Sequence, residues 1–265
     1  MRPNSRVRAA KGALLLSIVR TLPDPLIAKL YNRRMDERLV RGEFGWMIEG
    51  GQHDPLYLTD IQTAFRYAIN LRGVDGMIRR KRSLREMEGF VTVEPGDFVV
   101  DVGAFIGEFT IAAVPDAGEI VSIEPDPRSF PVLSRNVERY DAVTTQQTAV
   151  WNESGDTIEF NLADDPTESG VLPPDTGEYR QTSLETRTLS DLFDSIDFVK
   201  IEAEGAEPEV VEGLTPGLAD KVAVAAGAER YGERPIEEVR SILDELGYQI
   251  RVDDERSVVF ARYPE

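Results

Sequence analysis

The sequence predicts an α/β fold: a doubly wound, mainly parallel seven-stranded sheet with a C-terminal antiparallel hairpin, preceded by a helical N-terminal extension. Three observations predict it. From residue 95 onward short apolar runs alternate with helical segments. A glycine turn, Asp101-Val102-Gly103-Ala104-Phe105-Ile106-Gly107, lies where the first run gives way to the first helix. A chain of 265 residues, 41% hydrophobic and 29% charged, is globular and long enough for one α/β domain with an elaborated terminus.

The elements follow in order. Residues 2–41 are basic and hold an apolar run, 13–19, far too short to span a bilayer. Pro23 and Pro25 separate it from a second apolar stretch at 26–31, so two short amphipathic helices are expected there. They pack on the domain or, as a second reading, lie on an anionic membrane surface; a signal peptide is a weaker reading. Residues 42–90 read as a mixed connecting region in which 61–71 has helical period and the basic cluster Arg79-Arg80-Lys81-Arg82 reads first as a solvated helix face and second as an attractor of an anionic substrate or lipid. Phe98-Val99-Val100-Asp101-Val102 is a buried parallel strand ending in an acid. A helix follows the glycine turn, 119–124 is the next strand, and Asp126-Pro127 caps a helix running to about residue 140. Residues 143–150 are a third strand, 156–162 and 183–189 an outgoing and a returning strand, and 163–179 a loop rich in Pro, Gly and Asp. Further strands lie at 197–201 and 221–226, with a short helix at 208–212 between them. An amphipathic helix at 235–246 stops at Gly247, and 248–252 with 257–262 close as a hairpin.

Composition excludes several chemistries. There is no cysteine, so disulfides, thiolate metal sites and cysteine nucleophiles are absent. The single histidine, His53, sits in a Gly-Gly-Gln-His-Asp-Pro stretch and reads first as a surface or turn residue and second as a substrate contact, which leaves very little for a Ser-His-Asp triad or a multi-histidine metal site. No metal ligand set is expected. The net charge of −18 is split unevenly: residues 1–89 carry 17 Lys+Arg against 10 Asp+Glu, and 90–265 carry 13 against 38. A surface of that sign repels phosphates, so nucleic acid is not an expected partner. Only 5 of the 30 basic residues are lysine, a pattern that resembles proteins adapted to a high-salt cytoplasm. A cytoplasmic location is expected, with the membrane-surface reading of residues 1–41 placing it at the inner face.

Three stretches carry chemistry. In the turn, Gly103 permits a sharp bend and the small Ala104 lets a ligand approach the backbone, while Gly107 completes a Gly-x-x-x-Gly spacing. It matches neither the Gly-x-Gly-x-x-Gly of dinucleotide enzymes nor a P-loop. Glu124 ends the next strand 21 positions after Gly103, a distance at which a carboxylate accepts hydrogen bonds from the ribose hydroxyls of an adenosine-containing ligand. Lys200-Ile201-Glu202-Ala203-Glu204-Gly205-Ala206-Glu207 ends the fourth core strand and faces the same crevice. Its acids are candidates for shifted protonation, although Glu207, just before Pro208, also reads as an acid favoured by a helix N-terminus.

Taken in order, Val-Asp-Val-Gly-Ala-x-Ile-Gly-x-x-Thr from Val100, Ile-Glu-Pro-x-Pro from Ile123 with Asn136 twelve residues past Glu124, and Val-Lys-Ile-x-x-Glu-Gly-Ala-Glu from Val199 resemble the FkbM-type methyltransferase family over roughly residues 90–250. The resemblance implies a Rossmann-like class I domain at 90–265, with 1–89 as an acceptor-side cap, that uses S-adenosylmethionine to methylate hydroxyls, often of sugars or natural products. It implies that Asp101, Gly103, Ala104, Phe105 and Gly107 line the methionine side, that Glu124 and Pro125 take the ribose, and that Ala149 and Val150 in the 148–151 strand end take the adenine. Glu204 is the implied catalytic or acceptor-orienting acid, with Glu202 and Lys200 behind it. Two positions depart from the family pattern. Phe105 stands where Asn is usual, and Glu202-Ala203 replaces Asp-Val.

The expected partner is a small-molecule or glycan acceptor. Methylation of nitrogen or carbon on a small metabolite is a second reading, and a cofactor-binding or scaffold protein without turnover a third. A dehydrogenase is disfavoured by the missing third glycine.

Overall fold

The computed structural model describes residues 21–53, 55–69, 73–174 and 178–264. The apolar run at 13–19 lies outside them. The chain divides into two compact units, residues 1–79 and 80–265.

In the first unit, helix α1 (Asp24–Arg34) begins with Pro25 near its N-terminus and ends on Arg33 and Arg34, as the helix dipole favours. A three-stranded antiparallel sheet follows, β1 (Arg38–Gly42), β2 (Gly45–Glu49) and β3 (Leu56–Tyr57). In sequence this stretch reads only as a mixed connector, because each strand is too short to show its alternation. Asn32 stitches α1 to β1 by accepting from the Leu39 amide at 2.6 Å and donating to its carbonyl. Helix α2 (Thr63–Ile69) lies within the helix expected over 61–71, and α3 (Gly73–Arg85) follows, its last residues, from 80 on, belonging to the second unit. No helix among the described residues is long and apolar enough to cross a membrane.

The second unit holds the seven-stranded sheet. Its strands are β4 (Phe98–Val102), β5 (Glu119–Ile123), β6 (Val143–Gln146), β10 (Ile196–Ile201), β11 (Ala219–Ala225), β12 (Gln249–Asp253) and β13 (Val258–Arg262). Across the sheet they run β12-β13-β11-β10-β4-β5-β6. The pairs from β11 to β6 are parallel, and β13 is antiparallel to both β11 and β12. Chain order therefore reverses between β4 and β10, and the crevice beyond their carboxyl ends is where such sheets bind ligands.

Alternate residues of each central strand feed two cores, which is why the strands read as continuous apolar runs. Val100, Val102, Val199 and Ile201 face one core with α7 (Glu207–Glu212) and α8 (Ile236–Glu245). Val99 and Phe198 face the other with Phe109 and Ala113 of α4 (Glu108–Ala113). Phe109 stacks on Phe198 with centroids 5.9 Å apart.

Two expectations need correction. The third strand is not continuous over 143–150: it breaks at Gln147-Thr148, and β7 (Ala149–Val150) leaves the main sheet to pair with β9 (Tyr179–Arg187), which also pairs with β8 (Thr157–Ala163). Asp126 does not cap the following helix. Its carboxylate is taken by the Arg128 amide and guanidinium, and α5 (Phe130–Val137) starts after Ser129. The short helix α6 (Leu189–Leu192) is capped by Thr188, whose hydroxyl accepts from the Asp191 amide.

Candidate active site

The turn after β4 is held from below by a buried polar chain. Thr110 donates to Asp101 Oδ2 at 2.7 Å and shares a 2.8 Å bond with Ser122. Lys200 stands opposite Asp101 in the β4–β10 register, and its Nζ lies 2.9 Å from Asp101 Oδ1. The same ammonium donates to the carbonyls of Val102, at 3.1 Å, and Gly103, at 2.7 Å. The ammonium thus makes two hydrogen bonds and one ion pair, at a site only 2% exposed. Gly103, at φ +69°, crosses so close to β10 that a Cβ there would stand 1.8 Å from the Glu202 carbonyl oxygen. Only glycine fits.

Beyond the turn, Glu124 receives the Phe105 amide on Oε2 at 2.8 Å and the Asp126 amide on Oε1 at 2.9 Å. It is 6% exposed, and burial pushes it up to about 7 against the lowering effect of those two amides. Phe105 itself sits at φ +52°, in the left-handed region, where asparagine is more at ease than phenylalanine. Asn136 donates to the Ile106 carbonyl at 2.9 Å and ties α5 to the turn. Arg128 bridges outward, donating to the Ala163 carbonyl and the Ser169 hydroxyl at 2.7 Å each. Beside Glu124 opens a cavity of about 280 Å³ whose walls include Pro125, Thr148, Ala149, Leu184 and Arg187.

The end of β10 gathers charge. Glu202 accepts from Arg85 Nη2 at 2.9 Å and lies 3.5 Å from both Lys81 and Lys200. Burial would raise its proton affinity, but these cations outweigh burial and hold the carboxyl well below the usual range. Lys81 also reaches Glu108 at 3.6 Å. Glu204, half-buried at φ +49°, experiences the reverse: burial and the neighbouring Glu202, Glu229 and Glu207 push it well above the usual range. Glu207 is 1% exposed and is pushed up to about 7, chiefly by burial. Its Oε1 accepts from the Ala203 and Gly205 amides at 2.9 and 3.3 Å, while Oε2 has no hydrogen-bond partner. Glu204 and Glu207 share a cavity of about 190 Å³ with Arg85, Glu229, Arg256 and Glu202. Among the described residues no group of three or more His, Asp or Glu could hold a metal ion.

Most of the residues singled out in the sequence are brought together. Asp101, Gly103, Ala104, Phe105 and Gly107 form the turn, Glu124 meets it through the Phe105 amide, Pro125 lines the larger cavity, and Glu202, just past β10, meets the turn at Gly103, whereas Glu204 lines the smaller cavity with Glu207. Ala149 reaches the larger cavity, whereas Val150 is buried in the core. The solvated helix face expected at 79–82 is only half so: Arg79 and Arg80 are exposed, but Lys81 enters the acid cluster and Arg82 bonds Asp116 at 2.6 Å. Sequence reasoning missed Lys81, Arg85, Glu229 and Arg256. The helical spacing of Lys81 and Arg85 was the available signal for one pair; no signal marked Glu229 or Arg256.

A profile of the FkbM methyltransferase domain matches residues 101–250. The methyltransferase sdnD of Sordaria araneosa is 27% identical over 212 residues, covering 62% of this chain and 81% of that one. The solved FkbM methyltransferase of Methylobacillus flagellatus KT is similar at 17% identity with a TM-score of 0.49, covering 93% of this chain and 60% of that one. Magnesium protoporphyrin IX methyltransferase (ChlM) of Synechocystis PCC 6803, solved with bound SAM, is similar at 14% identity with a TM-score of 0.42, covering 72% and 78%. The chain thus spans 60% of the length of the Methylobacillus protein.

Proposed function

This chain belongs to the FkbM methyltransferase family, and from that premise we propose that it transfers a methyl group from S-adenosylmethionine to a hydroxyl of a sugar, glycan or related small molecule. The residues fit the cofactor. The Gly103 bend leaves backbone where a side chain would stand, Glu124 offers a carboxylate at the ribose distance, and the cavity at Pro125, Thr148 and Ala149 offers space for a base. When bound, S-adenosylmethionine supplies an electrophilic methyl group on a sulfonium.

The chain's own residues then have separable tasks. Lys200 is a positioning residue: it fixes the carbonyls of Val102 and Gly103 and neutralises Asp101. Glu124 aligns the turn through the Phe105 amide. Lys81 and Arg85 keep Glu202 ionised beside Gly103. The observation that carries the hydroxyl reading is Glu204. Burial and the neighbouring Glu202, Glu229 and Glu207 raise its proton affinity, so its ionised form is a stronger base than an ordinary glutamate and suited to take a hydroxyl proton as the new carbon–oxygen bond forms. Its strained φ of +49° fits a residue fixed for a task. Much of the rate enhancement would come from orientation, with Glu204 adding about 10²–10⁴-fold.

Calorimetry with S-adenosylmethionine tests the first half, and no binding would refute it. Mass spectrometry of small molecules and glycans from cells with and without the gene tests the second. A 14-dalton difference per methyl on oxygen supports the reading, and a methyl found on nitrogen or carbon overturns it.

A further inference from the structure

The cavity between the ends of β10, β11 and β13 holds more negative charge than methyl transfer uses. Its cations already have partners. Arg85 and Lys81 serve Glu202, although Arg85 Nε is left without one, and Arg256 pairs with Asp253 at 2.6 Å while donating to the carbonyls of Ser83 and Glu86. Nearby Arg230 is taken by Glu209 and by the Gly205 carbonyl. Glu204, Glu207 and Glu229 line the same small space.

Two features show that the cavity is built and not merely acidic. The first is Glu207 Oε2, a carboxylate oxygen with no donor on a residue 1% exposed. Leaving such an atom unmet costs about 1–3 kcal/mol or more, and it persists in a native fold where something else supplies the donor. The second is Gly227. A Cβ there would stand 2.1 and 2.2 Å from the two carboxylate oxygens of Glu229, so glycine lets that carboxylate lie against the strand end.

We propose that this cavity binds an ammonium group carried by the methyl acceptor, so that the substrate is an amino-bearing hydroxyl compound, of the amino-sugar or amino-alcohol class, anchored by Glu207 with Glu229 beside it. The inference rests on the methyl-acceptor reading of the crevice. A cation supplies the donor that Glu207 Oε2 lacks and also offsets the mutual repulsion of adjacent acids; a neutral hydroxyl supplies only the donor. At about 190 Å³ the cavity has room for roughly six water volumes, enough for an aminoalkyl group or the edge of an amino-sugar ring. Burial and the neighbouring acids raise the proton affinity of Glu204, and a cation beside it lowers it again.

The test is calorimetry on the full chain saturated with S-adenosylhomocysteine, comparing each amine with its hydroxyl counterpart. The pairs are glucosamine and glucose, galactosamine and galactose, and ethanolamine and ethylene glycol. The expected result is an amine that binds about tenfold tighter than its counterpart or better, with that preference lost in Glu207→Gln and in Glu229→Gln. The second variant guards against Glu207→Gln acting through the Ala203 and Gly205 amides. The proposal is overturned if no amine outbinds its counterpart, or if the preference survives both substitutions. It is also overturned if the variants weaken S-adenosylmethionine as much as the amine, which would assign the acids to the cofactor. Failure of the wild-type chain to bind either cofactor form gives a different signal and removes the methyl-transfer reading itself.

Discussion

Replacing Lys200 by methionine tests whether the glycine turn after β4 is held by one buried cation. Lys200 and Asp101 face each other across β10 and β4, at 2% and 0% exposure, with Nζ 2.9 Å from Oδ1. Removing one member of a buried pair leaves an uncompensated charge, which costs about 3–5 kcal/mol. The Gly103 carbonyl also loses its 2.7 Å donor, adding about 1 kcal/mol, while Val102 O keeps the Glu202 amide at 3.2 Å. A total of about 4–6 kcal/mol lowers the melting temperature of a unit of this size by roughly 8–24 °C. The informative comparison is Lys200→Met with Asp101→Asn added, where no stranded charge remains and most of the pair term returns. Urea unfolding of the single and double variants, followed by a probe in the 80–265 unit, measures both quantities. A single variant within about 1 kcal/mol of wild type would refute the brace, as would a double variant no more stable than the single.

Phe105→Asn puts a residue tolerant of positive φ at +52°, and a gain of up to about 1 kcal/mol is expected by thermal unfolding; destabilisation would mean that the ring packs better than its backbone suffers. Glu124→Ala removes the carboxylate acceptors of two backbone amides as well as the proposed ribose contact, so affinity for S-adenosylmethionine should fall at least about tenfold by calorimetry, and an unchanged affinity would void the ribose assignment. Stability should fall as pH rises from about 4.5 to 7. Glu124 and Glu207 are pushed up to about 7, so in that window the folded chain binds more protons than the unfolded one, giving at most about 1.4 kcal/mol per pH unit for each. Glu202 moves the opposite way, but its window lies below the ordinary glutamate value and does not cancel this trend. Urea midpoints at pH 5 and pH 7 measure the slope, and Glu207→Gln should flatten it.

The sheet was legible because buried parallel strands must be apolar on both faces, and Val99, Val100, Phe198 and Val199 announce that without reference to anything distant. The glycine turn was legible for the same local reason: Gly103 is dictated by its own φ and by one neighbouring carbonyl. Departures arise where partners are far apart in sequence. The break at Gln147-Thr148 depends on β9 recruiting Ala149 and Val150 from nearly forty residues away, and nothing in 143–150 encodes it. The small sheet over 38–57 has strands as short as two residues, below the length at which alternation can be recognised. The acid cluster shows the limit most clearly. Glu202 and Glu204 stand out in sequence because they end a strand, yet Glu202 is ionised by Lys81 and Arg85 from over a hundred residues earlier. Glu207 reads as an acid favoured by a helix terminus, and its Oε1 does accept two amides near the start of α7. What sequence could not convey is that its other oxygen is left over.

That leftover oxygen bears on how the acidity of the chain is understood. With 48 Asp and Glu, any single glutamate has a ready explanation as surface charge. Exposure divides them: Glu237 and Glu94 have side chains 83% and 63% exposed, whereas Glu207 is 1% exposed and shares its cavity with Glu204 and Glu229, with the nearby cations committed elsewhere. Salt acts on the two kinds differently. At about 1 M the screening length is near 3 Å, which quenches repulsion among exposed carboxylates but acts much less on a buried wall. Raising salt should therefore stabilise the 80–265 unit through its surface. An amine preference arising in the cavity should survive the same change, while one arising from diffuse surface attraction should vanish. If the preference between glucosamine and glucose disappears by about 1 M salt, the surface is its source and Glu207 is not its anchor.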